Sequence, residues 1–360
     1  MESICIVVSP HGFGHAARAC AVIEAMARQA PDLRFEILTT VPEWFFEQSL
    51  DVGFAVRSEA VDVGVVQRSP FEEDLGATLR RLDELYGSPE PLAEMTHRMR
   101  STNCRGVVCD ISPLGLAAAA RLGLTSVLVS NFTWDWIYEG YGDGEPGLRD
   151  HARSLARIFS SADLHVQTEP VCCPSSDAQR VPPTSRRPRI GRSAVRHRLE
   201  LSDNAKVVLV SMGGVPWTSS SYEALRRHPR LHFVVPGGSD APRRDGSLTL
   251  IPYRSDLYHP DLVHASDLVV GKLGYSTLAE AYHAVVPMLF VERPAFRESR
   301  PLAAFAKTEL AGVALSLGEL EEGSWLDQAE ELLDAPRPTG DRVNGADQAA
   351  ELILESLALV

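Results

Sequence analysis

A chain of 360 residues with 44% hydrophobic content can bury full cores and has the length of two ordinary domains rather than one. Its formal charge of −13 at pH 7 argues against nucleic acid as a partner, because phosphate backbones are held by cationic surfaces. The six cysteines show neither CxxC nor zinc spacing, no stretch approaches the roughly 20 apolar residues of a transmembrane segment, and Met1-Glu2-Ser3 carries no basic signal region, so a cytoplasmic location is expected.

Apolar runs of strand length alternate with helix-length segments from the start, a pattern that favours parallel βαβ units and an α/β fold. The first strand is read at 4–9. It runs into His11-Gly12-Phe13-Gly14-His15-Ala16-Ala17-Arg18 and then an Ala-rich helix at 16–29. Gly12 and Gly14 would let a ligand approach the backbone, the turn amides and helix dipole point at that ligand, and His15 at the helix start could move a proton near neutral pH. The other reading of the octet is a tight turn whose histidines only cap or pack.

Further strands are read at 35–39, 106–109 and 126–130, with helices at 41–49, 71–86, 114–122 and 148–160. The run Ser130-Asn131-Phe132-Thr133-Trp134-Asp135-Trp136 follows. Aromatic faces stack on apolar sugar faces and a neighbouring carboxylate fixes hydroxyls or takes a proton; alternatively, Trp134 and Trp136 brace a loop. Residues 169–198 are rich in proline, serine and arginine and read as a linker, with the basic run 186–198 as a solvated connector. Strands resume at 206–211, 231–235, 248–251, 267–271 and 287–292. The expected organisation is two Rossmann-like domains facing a central cleft, 1–168 and 199–343, with a helix in 344–360 whose Ala350, Ile353, Leu354 and Leu357 pack back on the first domain.

In the second unit, Ser211-Met212-Gly213-Gly214 follows a strand, the place where open α/β sheets bind ligands. The segment Gly271-Lys272-Leu273-Gly274-Tyr275-Ser276-Thr277-Leu278-Ala279-Glu280 has Gly274 in a turn and Ser276 or Thr277 capping a helix whose first turn can hold a diphosphate. Glu280, one turn on, faces the same mouth and could accept hydrogen bonds from a ribose diol; the alternative is an exposed helix carboxylate. No Asp-x-Asp follows a strand: Asp110 stands alone and Asp143-x-Glu145 lies in a glycine-rich turn. Neither a metal nor a cofactor is therefore expected, and leaving-group charge falls to helix amides and Lys272.

The 274–294 segment resembles the donor-binding signature of GT-B glycosyltransferases, especially the group containing the enzyme that adds N-acetylglucosamine to lipid-linked muramyl peptide. In that group a Ser-Gly-x-x-Thr-x-x-Glu turn binds the nucleotide sugar; here the serine is lost and the glycine, hydroxyl and glutamate are kept. The loop 12–15 looks like the acceptor-side loop of the same enzymes. Segments 11–18, 130–138 and 271–280 are also similar to the glycosyltransferase-like N-terminal region of plant arabinokinases.

The resemblance implies a GT-B fold and a nucleoside diphosphate sugar as donor, with UDP favoured. Gly213, Gly214, Gly274, Ser276 and Thr277 would surround the phosphates and Glu280 the ribose, while Tyr253 and Arg254 begin the loop that reads the base. Arg297, Glu298 and Ser299 stand where such enzymes contact the donor sugar, without the usual glutamine. A small-molecule or lipid-linked acceptor would enter past His11, Gly12, Gly14 and Trp134, with His15 and Asp135 as the catalytic residues of an inverting, metal-independent transfer. Two other implications stand beside this one. Gly12, Gly14, His15 and Arg18 also resemble the loop of the UDP-sugar hydrolases of pseudaminic acid synthesis, and the changed donor-sugar residues suit a catalytically silent sugar-nucleotide-binding protein.

Overall fold

Each half of the chain winds its own seven-stranded sheet. The computed structural model describes residues 2–214, 221–335, 337 and 342–359. The first half supplies β1 (Ser3–Val8), β2 (Arg34–Thr39), β3 (Phe54–Ser58), a hairpin of β4 (Gln67–Ser69) and β5 (Glu72–Glu73), then β6 (Gly106–Asp110), β7 (Thr125–Ser130), β8 (Leu164–Thr168) and β9 (Gln179–Val181). Outside the hairpin they form an all-parallel sheet in the order β3-β2-β1-β6-β7-β8-β9. The second half supplies β10 (Lys206–Ser211), β11 (Leu231–Pro236), β12 (Arg243–Asp245), β13 (Leu248–Ile251), β14 (Leu268–Lys272), β15 (Met288–Val291) and β16 (Val313–Leu315). Their order is β12-β13-β11-β10-β14-β15-β16, parallel except for the β12 edge.

The central strands are apolar on both faces, as parallel strands sandwiched between helices must be: the side chains of Ile4 to Val8 and of Val207 to Val210 are buried. In each sheet the strand order reverses once, between β1 and β6 and between β10 and β14. At such a point neighbouring loops leave in opposite directions and open a crevice at the carboxyl ends of the strands. The two crevices meet. A Cβ added to Gly12 would lie 3.4 Å from the Gly213 carbonyl oxygen, and one added to Gly14 would lie 3.7 Å from Ser276 Oγ. The two Rossmann-like units therefore share one cleft.

Several local features depart from the sequence reading. The helix expected from 71 begins at Leu75, because residues 72–73 close the hairpin and Asp74 caps the helix by accepting from the Ala77 amide at 2.9 Å. A second helix, Glu90–Thr102, follows it. The segment 169–198 is not a solvated connector: β9 extends the first sheet, and Arg186 and Arg196 are buried. Helix Ala346–Ser356 packs on helix Gly14–Gln29, with Ile353 and Leu354 in the first domain's core. Just beyond it, Leu357 lies against Gly106 closely enough that a Cβ there would stand 2.3 Å from its Cδ2. No helix among the described residues is long and apolar enough to cross a membrane.

Candidate active site

The β1–β6 register sets Val8 beside Asp110, so the last residue of β6 stands next to the loop that leaves β1. Helix Gly14–Gln29 starts in that loop and carries His15 in its first turn and Arg18 one turn later on the same face. His15 Nδ1 lies 2.8 Å from Asp110 Oδ1. An ionised carboxylate only accepts, so Nδ1 carries a proton, and in the neutral ring the lone pair is then on Nε2. Asp110 also accepts from Arg18 Nε at 2.8 Å and Nη2 at 2.7 Å. Burial works to raise the Asp110 carboxyl, but the Arg18 charge and the His15 hydrogen bond outweigh it and hold the group below its ordinary range. From Arg18 the chain of hydrogen bonds continues through Nη1 to Asn131 Oδ1 at 2.6 Å, and through Asn131 Nδ2 to Glu298 Oε1 at 2.9 Å. It thus ties the first domain to the second.

Across the cleft, helix Tyr275–Ala284 starts from Gly274, which is extended and provides no side-chain cap. The first-turn amides and the Ser276 and Thr277 side chains are left at the cleft wall, a ready anion site. Gly213 and Gly214 sit at φ +66° and +86°, where a side chain would be strained. Lys272 ends β14 beside them, its ammonium 3.5 Å from where a Gly213 Cβ would stand. Among the described residues it makes no hydrogen bond or ion pair, and burial together with the neighbouring Arg293 charge lowers its pKa to about 7. Against the same glycine turn an aromatic group gathers: Phe13 lies so near Gly214 that a Cβ there would stand 2.3 Å from its Cδ2, stacks on Phe45 with centroids 4.8 Å apart and meets Trp44 and Tyr253 edge-on.

The structure brings most of the sequence-derived residues to this one cleft. His11, Gly12, Gly14 and His15 line it from the first domain, and Gly213, Gly214, Tyr253, Gly274, Ser276, Thr277 and Glu298 from the second. His11 Nδ1 faces the Val65 amide at 3.4 Å and its ring stacks on Phe296. Burial, then the charges of Arg293 and Lys272, push its pKa well down. Arg297 donates to the Trp136 carbonyl at 2.6 Å, Ser299 Oγ accepts from the Arg293 amide, and Arg254 reaches toward Glu47 on the surface.

Three expected residues stand elsewhere. Glu280 is buried behind the cleft wall: Oε1 accepts from Arg186 Nε at 3.1 Å and Nη2 at 2.9 Å, and Oε2 meets His259 Nδ1 at 2.7 Å. Burial works to raise its pKa, but those two partners hold it low. Both oxygens are engaged, so the groups facing the cleft here are Arg186 and His259 rather than a carboxylate free for a diol. Trp134 is fully buried, stacked on Tyr138 and donating Nε1–H to Asp62 at 3.0 Å; it braces the loop and shows no face to an acceptor. Asp135 does not line the cleft, its Oδ1 is buried without a hydrogen-bond partner among the described residues, and burial raises its pKa.

Sequence reading missed Asp110 as the partner of His15, although the signal was present: it directly follows the apolar run Val107-Val108-Cys109 at the end of a strand. Arg186 and His259 had no such signal, since burial of Arg186 depends on Ser49, Phe45 and Tyr258 from distant parts of the chain. Among the described residues no three His, Cys, Asp or Glu side chains are grouped to hold a metal ion.

No family model matches the chain. It is 29% identical over 359 residues to L-arabinokinase from Arabidopsis thaliana, a match covering 97% of this chain and 34% of that protein, so the chain spans about a third of that relative's length. It is 26% identical over 276 residues to an uncharacterized glycosyltransferase from Methanopyrus kandleri, covering 72% of this chain and 78% of that one. Among solved structures, a UDP-glucosyltransferase from Polygonum tinctorium superposes with a TM-score of 0.62 at 12% identity, over 99% of this chain and 98% of that chain. MurG from Acinetobacter baumannii does so with a TM-score of 0.55 at 15% identity, over 99% and 100%. The likenesses to solved structures run over 99% of the chain, and its fold is GT-B.

Proposed function

We propose that this GT-B chain is a glycosyltransferase that moves a sugar from a nucleoside diphosphate donor, with UDP the favoured nucleotide, to an acceptor hydroxyl with inversion and without a metal ion. The observation that carries the reading is the His15–Asp110 pair at 2.8 Å, which faces the amide turn at Ser276 across the cleft. His15 Nε2 takes the acceptor proton as that oxygen attacks the anomeric carbon. The bond from that carbon to the diphosphate oxygen breaks, and its electron pair leaves with the nucleotide. Asp110 orients the ring and stabilises the imidazolium that forms, while the helix amides and Lys272 meet the negative charge of the leaving group. The relatives named as glycosyltransferases support the reaction class, and the resemblance of the Gly274 turn supports the donor.

The test is nucleotide release from UDP-glucose and UDP-galactose with and without a mixture of hydroxylated acceptors. Release accelerated by acceptor supports transfer. Free sugar formed equally fast without acceptor makes water the acceptor and the protein a hydrolase; binding with no turnover removes the catalytic reading.

Lys272 gives the donor reading a pH signature. In the free protein its charge is lost as pH rises through about 7, and a bound diphosphate favours the charged form, so binding above that pH takes up a proton. UDP affinity should therefore fall by up to about tenfold per pH unit above pH 7. Calorimetry in buffers of different ionisation heat should show the uptake, and Lys272→Met should flatten the slope. A slope unchanged in that variant assigns the proton elsewhere.

A further inference from the structure

Among the described residues, one corner of the cleft gathers buried polar atoms that make no hydrogen bond of ordinary geometry: Gln67 Nε2, Glu73 Oε1, Tyr141 Oη, and Arg293 Nε and Nη1. The hairpin register sets Gln67 opposite Glu73, and the Glu73 carboxylate stands 3.7 Å from Arg293 Nη1, near enough to pair charges and too far to hydrogen-bond. Burial, then the Glu73 charge and a loose contact of the hydroxyl with that carboxylate, raise the Tyr141 hydroxyl's pKa. Arg293 follows β15 two residues after Val291, the residue in register with Lys272. Its guanidinium lies 3.9 Å over the Phe296 ring and is 4% exposed. Gln67 and Arg293 line the cleft, and Glu73 and Tyr141 do not.

Buried donors and acceptors are nearly always paired in folded proteins, so such a cluster points to a polar ligand that completes it. Its charges identify the class. Arg293 and a Lys272 that is only partly charged at neutral pH stand beside two carboxylates, Glu73 and Glu298, so the corner holds no surplus of positive charge, and His11 beside them is pushed toward its neutral form by burial and by those cations. A balanced corner that offers both donors and acceptors matches hydroxyl groups, each of which does both. A carboxylate or phosphate would bring acceptors alone and a charge that Glu73 and Glu298 repel.

We infer that this corner is the subsite for an uncharged, polyhydroxylated donor sugar, completed from the first domain: Gln67 and Arg293 contact the sugar and Glu73 is a positioning residue that acts through Arg293. The inference rests on the donor reading above. Lys272 connects the corner to the diphosphate turn at Gly213, so a sugar joined to that diphosphate reaches it directly.

Calorimetry with UDP, UDP-glucose, UDP-galactose and UDP-glucuronate tests it. The neutral sugar nucleotides should bind about tenfold or more tightly than UDP-glucuronate. Glu73→Gln, which removes one of the two carboxylates beside Arg293, should close or reverse that gap while UDP alone binds as before, a change of preference that loss of structure would not produce. Equal or tighter binding of UDP-glucuronate by the unaltered protein overturns the inference, with no variant needed. A gap unchanged in Glu73→Gln overturns the role of Glu73. Failure of UDP itself to bind removes the donor reading, a result distinct from UDP binding without the sugar preference.

Discussion

Replacing His15 by alanine should lower sugar-transfer turnover by about 10²–10⁴, the span expected for loss of a general base, while UDP affinity stays within about threefold. The separation follows from where the groups stand: His15 belongs to the first domain and is paired to Asp110, whereas the diphosphate reading rests on amides of the second. Asp110→Asn should cost a comparable factor, because an amide in place of the carboxylate can donate to Nδ1 and leave the proton on Nε2, the wrong tautomer for a base. Asp110 also holds Arg18 through two hydrogen bonds, so the melting temperature of that variant is measured beside its turnover. His11→Ala should cost much less, since His11 faces a backbone amide and packs against Phe296 and Trp134. Single-turnover kinetics with saturating donor separates chemistry from binding. A His15→Ala protein with wild-type turnover, or one that fails only because UDP no longer binds, ends the general-base reading.

The parts of the molecule legible in sequence are those fixed by local rules. Apolar runs marked the central strands, because parallel strands bury both faces, and glycine turns after β1, β10 and β14 marked the cleft, because only certain backbone geometries let a ligand approach a helix N-terminus. Long-range pairing was not legible. Glu280 lies on the helix read for it, yet its availability depends on Arg186 and His259, 94 and 21 residues away in sequence. Trp134 and Asp135 sit in an aromatic run whose composition reads as sugar-binding, but the buried acceptor Asp62 that fixes the indole comes from a loop 72 residues upstream. The charge-rich segment 186–198 resembled a solvated strap by composition, and composition does not tell which of its arginines find carboxylates inside the fold.

That distinction within one basic run supplies the other large effect. Arg186→Met should destabilise the protein by about 3–5 kcal/mol, because it leaves the Glu280 carboxylate buried with its guanidinium partner gone. The adjacent Arg187 pairs with Asp347 at the surface, both side chains about half exposed, and Arg187→Met should change stability by no more than about 1 kcal/mol. Urea denaturation of the two variants compares an internal pair with a solvated one in the same stretch of chain. Arg186 also donates Nη1–H to Ser49 at 2.9 Å and lies over Phe45 and Tyr258, so part of its loss is packing and hydrogen bonding rather than charge. The double variant Arg186→Met, Glu280→Leu separates these contributions. If an uncompensated carboxylate dominates, removing it should restore much of the stability, and the two changes should be strongly non-additive. If packing dominates, the double variant should be at least as unstable as Arg186→Met alone, and Glu280 would then not be what keeps Arg186 inside the protein.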